Sequence, residues 1–289
     1  MTERVTLSAR GVTAQVKALG AELCSLKDAG GREFLWQAGQ AWPRHAPILF
    51  PVVGRLHDDA LDFGGQHYPM GQHGFARDLP FRLVEQRADS ARFLLADSEA
   101  TWGAYPFPFR LEVAYALRRN TVSIGWRIDN PGETLLPCSI GAHPAFRWPL
   151  PGAGSKPAHR IEFEQDETRP VYRPGADGLL DPTPRELPLN GRNLGLREEL
   201  FAEGALVLLD PASRHLRYCA PGAPAVELAW QGMGQLGLWM KPGGDFLCIE
   251  PWAGHADIQG YRVEAWHKPG MLMIGPGESR HFAHRITLD

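Results

Sequence analysis

The sequence predicts an all-β protein of the sandwich type with few short helices, and three observations support this prediction. Apolar and polar residues alternate along several segments, as in strands that bury one face. The 32 glycines and 25 prolines are spread along the whole chain and leave little room for long helices. The length of 289 residues is large for a mixed domain but is reached by large β-sandwiches. We therefore expect a single domain covering residues 1–289.

The first predicted strand lies near the N-terminus and is followed by a strong turn signal. Its alternating apolar positions are Val12, Ala14, Val16 and Ala18. The sequence Asp-Ala-Gly-Gly at residues 28–31 then favours a turn, because these residue types tolerate the backbone angles that turns require. A second out-and-back pattern covers residues 81–96 and has a polar turn at 88–90.

Residues 109–130 form the clearest predicted hairpin. The apolar positions of its two strands are Leu111, Val113, Tyr115 and Leu117, then Val122, Ile124, Trp126 and Ile128. Two arginines and an asparagine at 118–120 supply the turn between them. Residues 149–188, in contrast, are rich in proline, glycine and aspartate, and we expect a long loop or excursion there.

Composition and charge limit the classes of partner. With 44% hydrophobic and 22% charged residues, the chain can bury a sizeable core. A net charge of −3 gives no basic face for nucleic acid, and no apolar run reaches membrane-spanning length. The N-terminal residues lack a secretory apolar region, and the four cysteines are far apart. We expect a cytoplasmic protein with reduced thiols, as a monomer or homodimer, without nucleic-acid or membrane partners.

A first candidate site joins residues 50–56 to residues 72–77. It brings together Arg55, His73 and Arg77, while Gly54 and Gly74 would allow the backbone to approach a ligand closely. An arginine can donate paired hydrogen bonds to a polar ligand. The alternative is that the arginines are solvated loop charges and the histidine caps a turn.

A second candidate site contains His143, and a third contains Glu250. His143 lies at a predicted strand end, before a proline that restricts its backbone. Glu250 shares a strand face with Cys248 and Phe246, and such apolar surroundings raise a carboxyl pKa towards the range of a general base. The alternative for His143 is a purely structural role. The alternative for Glu250 is a salt bridge with an arginine across the sheet. No metal site is predicted, since His281 and His284 would face opposite sides of a strand.

Four segments, in this order, carry a family resemblance. They read FPVVGRL at 50–56, HGFAR at 73–77, GAHPAF at 141–146 and LWMKPGGDFLCIEPWAG at 238–254. Together they resemble the aldose 1-epimerase (galactose mutarotase-like) superfamily, in particular its LacX-like branch related to hexose-6-phosphate mutarotases. The resemblance implies a large antiparallel β-sandwich, the galactose mutarotase-like supersandwich, and an isomerase that interconverts the α and β anomers of an aldose.

The resemblance also implies a role for each motif residue. Arg55 and His73 would bind sugar hydroxyls, His143 would protonate the ring oxygen as general acid, and Glu250 would take the proton of the anomeric hydroxyl as general base. No cofactor is implied. We expect a sugar-sized gap between His143 and Glu250, with Arg55 and His73 at its rim.

Three further residues bear on binding, and alternatives to the enzyme stay open. Trp239 is a candidate stacking platform, and Arg77 and Lys241 are candidate phosphate contacts, although an unphosphorylated aldose is favoured. The alternatives are a non-catalytic sugar-binding or regulatory protein and a hexose-6-phosphate mutarotase. A further sugar-contacting aspartate of the family has no evident equivalent here, Asp210 included.

Overall fold

A computed structural model describes residues 3–289, and β-strands dominate this part of the chain. Its strands, in chain order, are β1 (Arg4–Ala9), β2 (Val12–Lys17), β3 (Glu22–Asp28), β4 (Ile48–Leu49), β5 (Ala60–Phe63), β6 (Gln66–Pro69), β7 (Arg82–Gln86), β8 (Ser90–Ala96), β9 (Arg110–Arg118), β10 (Thr121–Asp129), β11 (Leu136–Cys138), β12 (Ile140–Ala142), β13 (Ala145–Arg147), β14 (Arg160–Phe163), β15 (Val171–Pro174), β16 (Leu180–Arg185), β17 (Asn193–Gly195), β18 (Leu206–Leu208), β19 (His215–Cys219), β20 (Val226–Gln231), β21 (Gln235–Trp239), β22 (Phe246–Ala253), β23 (Leu272–Ile274) and β24 (Ser279–Leu288). The helices are α1 (Glu99–Trp102) and short 3-10 turns at His57–Asp59, Ala76–Asp78, Lys156–Ala158, Glu198–Phe201 and Ala265–His267. The predicted all-β class with few short helices is confirmed.

Two large antiparallel sheets form the sandwich. The nine-stranded sheet has the order β17-β14-β19-β20-β24-β10-β9-β8-β7. The second has the order β16-β15-β18-β21-β22-β12-β4, with β13 also paired to β22. A small sheet of β1, β2 and β3 and two two-stranded ribbons complete the fold. One hydrophobic cluster contains residues of both large sheets, so their inner faces pack on each other.

The predicted hairpin at residues 109–130 is confirmed as β9 and β10. Thr121 pairs with Arg118 across a turn in which Arg119 has a positive φ of 56°. Inward positions of both strands alternate with outward ones, as the period of two requires. The strands predicted within residues 81–96 are also present, as β7 and β8.

The segment 149–188 is more structured than a long loop. It contributes β14 to the nine-stranded sheet and β15 and β16 to the second sheet. Pro182 and Pro184 fit in β16 because it is an edge strand, where a missing N–H need not break the ladder. The high proline content of this segment is therefore compatible with an edge strand as well as with a loop.

The described residues contain no helix of the length and apolar character needed to cross a bilayer. The four cysteines are buried and form no disulfide bond with each other: Cys24, Cys138, Cys219 and Cys248.

His284 of β24 is a buried histidine in the sheet core. Its ring stacks on Trp126 at a centroid distance of 4.8 Å, and its Nδ1 has no hydrogen-bond partner among the described residues. Burial lowers the pKa of His284 to about 3. The unfolded chain therefore binds a proton here between about pH 3 and 6.5 that the folded chain does not, so stability falls as the pH drops through this range.

We expect His284→Phe, which keeps the ring stack and removes the titration, to weaken this acid sensitivity. Between about pH 7 and pH 5 the loss in unfolding free energy should be smaller than in wild type by up to about 2 kcal/mol. Urea unfolding followed by tryptophan fluorescence measures both losses. His281→Gln, at an exposed histidine of the same strand, is the control and should behave as wild type. Equal losses in wild type and His284→Phe would contradict the buried neutral histidine.

Candidate active site

A cavity of about 280 Å³ opens at the second large sheet. Its polar and aromatic lining includes Trp42, His73, Arg77, His143, Trp239 and Glu250. This volume is just below the usual size range of small-molecule sites, which begins at roughly 300 Å³. A single sugar ring is thus a better match to it than an oligosaccharide.

Strand pairing brings His143 and Glu250 together. Gly141 pairs with Trp252 and Ala145 pairs with Cys248, so His143 falls opposite Glu250 between these two pairs. His143 Nε2 lies 3.1 Å from Glu250 Oε2, and both residues are at least nine-tenths buried. The two candidates that the sequence suggested separately therefore form one site.

The expected sugar-sized gap between His143 and Glu250 is absent. Directly opposed residues on neighbouring strands have Cβ atoms only about 5 Å apart, which leaves no space for a sugar ring between them. The pair instead forms one wall of the cavity. The 3.1 Å contact is also poorly aligned, since Glu250 Oε2 completes no hydrogen bond with any described residue. A ligand would meet the pair from the cavity side.

Burial favours the neutral form of both His143 and Glu250. It raises the pKa of Glu250 well above its usual value, and the neighbouring Trp252 indole opposes this shift only in part. It lowers the pKa of His143 to about 3. The pair therefore holds one proton over a broad pH range and has no net charge, which is the state that a low-dielectric site favours.

Aromatic rings and backbone contacts hold His143 in place. Its N–H donates to the Pro47 carbonyl oxygen at 3.2 Å. Trp42 stacks on its imidazole with centroids 4.9 Å apart, and Trp239 meets the ring edge-on at 5.7 Å. Trp239 was expected to contact substrate and does line the cavity, whereas Trp42 was not anticipated, since no periodicity or motif marks it in the sequence.

His73 lines the cavity next to His143, with ring centroids 5.5 Å apart. The Gly54 N–H donates to His73 Nδ1 at 3.1 Å, so Nδ1 is unprotonated and the ring proton resides on Nε2. Burial, with a further contribution from His143, lowers the pKa of His73 well below its usual value. His73 is thus a neutral hydrogen-bond donor. Its backbone has a positive φ of 68° and is followed by Gly74 at 69°.

Arg77 also lines the cavity, as the first candidate site anticipated. Its Nη2 donates to the Gln72 carbonyl oxygen at 2.6 Å, while Nε is buried with no hydrogen-bond partner among the described residues. Burial, and secondarily the charge of Arg44, lowers the pKa of Arg77. The guanidinium therefore has unused donor capacity beside the cavity.

Arg55 and Lys241 do not reach the cavity, contrary to the expected substrate contacts. The Arg55 guanidinium donates to both carboxylate oxygens of Asp59, at 2.8 and 2.6 Å, and to the Asp177 carbonyl oxygen at 3.1 Å. Arg55 packs against Gly178, which lines the cavity, but is not itself part of the lining. Lys241 is exposed and outside the lining.

Two other parts of the chain contribute walls that the sequence did not reveal. The excursion that holds β15 and β16 supplies Pro174, Gly178 and Leu180. His255, directly after the last motif, also lines the cavity and has Nδ1 2.7 Å from the Ala256 carbonyl oxygen. Asp210 lies elsewhere: it is exposed and 3.6 Å from Arg169.

These features define a β-sandwich protein with a small cavity and a buried histidine–glutamate pair in its wall. Residues 3–259 match the aldose 1-epimerase family over most of the chain. The chain belongs to this family.

Named relatives support the same branch that the motifs indicated. The chain is 32% identical to the plasmid-encoded protein LacX of Lactococcus lactis subsp. lactis, with 96% of each sequence covered, and the chromosomal LacX matches equally. Among solved structures, a galactose mutarotase related enzyme from Lactobacillus acidophilus is 29% identical, with a TM-score of 0.91 over 99% of this chain and 97% of its own. A galactose mutarotase-like protein from Lactobacillus casei is 26% identical, with a TM-score of 0.92 over 99% of this chain and all of its own.

Proposed function

We propose that this protein is an aldose 1-epimerase, a mutarotase that interconverts the α and β anomers of an aldose. The observation that carries the proposal is the pair of His143 and Glu250, 3.1 Å apart in the wall of a cavity of about 280 Å³. One proton shared by a histidine and a carboxyl is what acid/base ring opening requires, because that reaction removes one proton and adds another.

In the resting pair burial keeps His143 neutral and Glu250 protonated. Ring opening begins once this proton has moved to His143, which leaves Glu250 as the carboxylate. Glu250 takes the proton of the anomeric hydroxyl O1 while His143 donates its proton to the ring oxygen O5, which opens the ring to the aldehyde. Both oxygens are bonded to C1, so two adjacent side chains on one wall can reach them. After rotation about the C1–C2 bond, the reverse transfers close the ring as the other anomer and restore the pair.

The surroundings of the pair favour this proton exchange. The face of Trp42 stacks on His143 and stabilises the imidazolium form through its ring electrons. His73 presents an Nε2–H that can donate to a sugar oxygen, and Arg77 offers further donors. Trp239 supplies an apolar surface for the face of a sugar ring.

A glycoside hydrolase is less well supported because it needs two carboxyl groups about the scissile bond. Within residues 3–289, Glu250 is the one carboxylate in the cavity lining. A pure sugar-binding protein would gain nothing from a buried acid/base pair, since hydrogen bonds and aromatic surfaces suffice for binding. Saturable sugar binding without any acceleration of mutarotation would favour that alternative.

The charges at the cavity favour an unphosphorylated aldose. A phosphate monoester carries nearly two negative charges and is usually bound by several cationic groups. Arg77 is the one lysine or arginine among the described lining residues, and burial keeps His73 and His143 neutral. Arg55 and Lys241, the other cations considered, lie outside the cavity.

Polarimetry with freshly dissolved glucose, galactose and glucose 6-phosphate tests both parts of the proposal. We expect catalysed mutarotation of at least one neutral aldose and no preference for the phosphate. Arg77→Ala should lower kcat/KM for the neutral sugar roughly 10-fold or more, since hydrogen bonds from charged groups contribute about 1.5–3 kcal/mol. Arg55→Ala is the matched control and should retain the wild-type rate.

Two outcomes would contradict the proposal. A strong preference for glucose 6-phosphate that disappears in Arg77→Ala would show a phosphate site. No acceleration with any aldose, despite measurable sugar binding, would remove the enzyme assignment.

A further inference from the structure

A cysteine lies beside the acid/base pair and has no part in the proposed proton transfers. Cys248 precedes Glu250 by two residues on β22, so both side chains point to the same face of the sheet. The Cys248 sulfur, one ring nitrogen of His143 and one carboxylate oxygen of Glu250 all lie within 4.8 Å of one another. All three residues are buried.

We propose that Cys248, His143 and Glu250 form a binding site for a divalent transition metal such as Zn²⁺, and that the bound ion inhibits the protein. The inhibition rests on the proposed mutarotase function, because the ion would occupy the two groups that exchange protons with the sugar. The binding itself does not depend on that function.

The donor set is chemically suited to zinc. Zinc binds cysteine sulfur, histidine nitrogen and carboxylate oxygen, and sites with three protein ligands keep a fourth position open. Here the open position would face the cavity, which Glu250 and His143 line. A thiolate and a carboxylate together balance the two charges of the ion, so a buried centre with a neutral histidine carries no net charge.

The geometry requires only small side-chain movements. Zinc–ligand bonds of about 2.0–2.3 Å in a tetrahedral arrangement place neighbouring ligand atoms roughly 3.3–3.5 Å apart. His143 Nε2 and Glu250 Oε2 are already 3.1 Å apart. The sulfur must close in from a distance of at most 4.8 Å. Glu250 Oε2, buried and without a hydrogen-bond partner among the described residues, is free to accept the ion.

Titration with Co²⁺ tests binding without reference to catalysis. Cobalt takes zinc sites and gives a near-ultraviolet charge-transfer band when a thiolate is a ligand. We expect this band to saturate at one Co²⁺ per chain, to be displaced by Zn²⁺ and to be absent in Cys248→Ala. Cys138→Ala, at an equally buried cysteine that is not in the cluster with His143 and Glu250, should keep it. A missing band in wild type, or a band that persists in Cys248→Ala, would overturn the site.

Inhibition is tested on the same variants by polarimetry. Zn²⁺ should inhibit wild type and Cys138→Ala alike, and Cys248→Ala should need at least ~10-fold more Zn²⁺, because loss of even an outer-shell partner commonly weakens metal affinity 10–100-fold. EDTA should restore the rate. If Zn²⁺ inhibits Cys248→Ala as strongly as wild type, the ion acts elsewhere and the proposal fails. If wild type shows the cobalt band but no mutarotation, the metal site stands and the mutarotase function fails.

Discussion

Glu250→Gln is expected to lower the mutarotation rate by roughly 10²–10⁴-fold, the usual contribution of a positioned acid or base. The amide has the shape of the carboxyl group but cannot take the O1 proton. The substitution should leave the fold intact, because burial already favours the neutral form of Glu250 and an amide is neutral as well. Polarimetry of the purified variant measures the rate, and thermal unfolding checks its stability.

Glu167→Gln is the matched control for this experiment. Glu167 is also buried, but it accepts N–H groups of Ala212 and Ser213 at 2.8 Å and is outside the cavity lining. Its variant should lose stability and keep the wild-type rate per folded molecule. A near-normal rate in Glu250→Gln would exclude Glu250 as the base.

His143→Gln is expected to cause a loss of similar size, roughly 10²–10⁴-fold, because the amide cannot carry the proton that opens the ring. The residue partners Glu250 across 3.1 Å, so the two groups should act as one unit. The double variant with Glu250→Gln should then be little slower than either single variant. Once one member of the pair is lost, removing the other lowers the mutarotation rate little further.

Rates for the two single variants and the double variant decide whether the groups are coupled. Fully multiplicative losses would show that His143 and Glu250 act independently. Trp42→Phe keeps an aromatic ring stacked on His143 and leaves the acid and the base in place, so this control variant should retain most of the activity.

The sequence by itself determined the fold class and much of the site. Strict alternation along residues 109–130 gave two strands with defined inner faces, and the structure has them as β9 and β10. The motifs indicated the family, and His143 and Glu250 were marked by a proline after one and apolar neighbours around the other. Patterns of this kind report which face of a strand is buried, a property set by residues close in the chain.

Tertiary structure alone decided which of these residues meet. Alternation does not reveal that the segment around His143 pairs with β22, and this pairing places the acid and the base side by side instead of across a gap. Arg55 lies in a motif, yet the nearby Asp59 carboxylate holds its side chain outside the cavity. Trp42 reaches His143 through a contact between segments far apart in the chain. Such contacts depend on strand order and on competition between partners, and neither is written in local sequence.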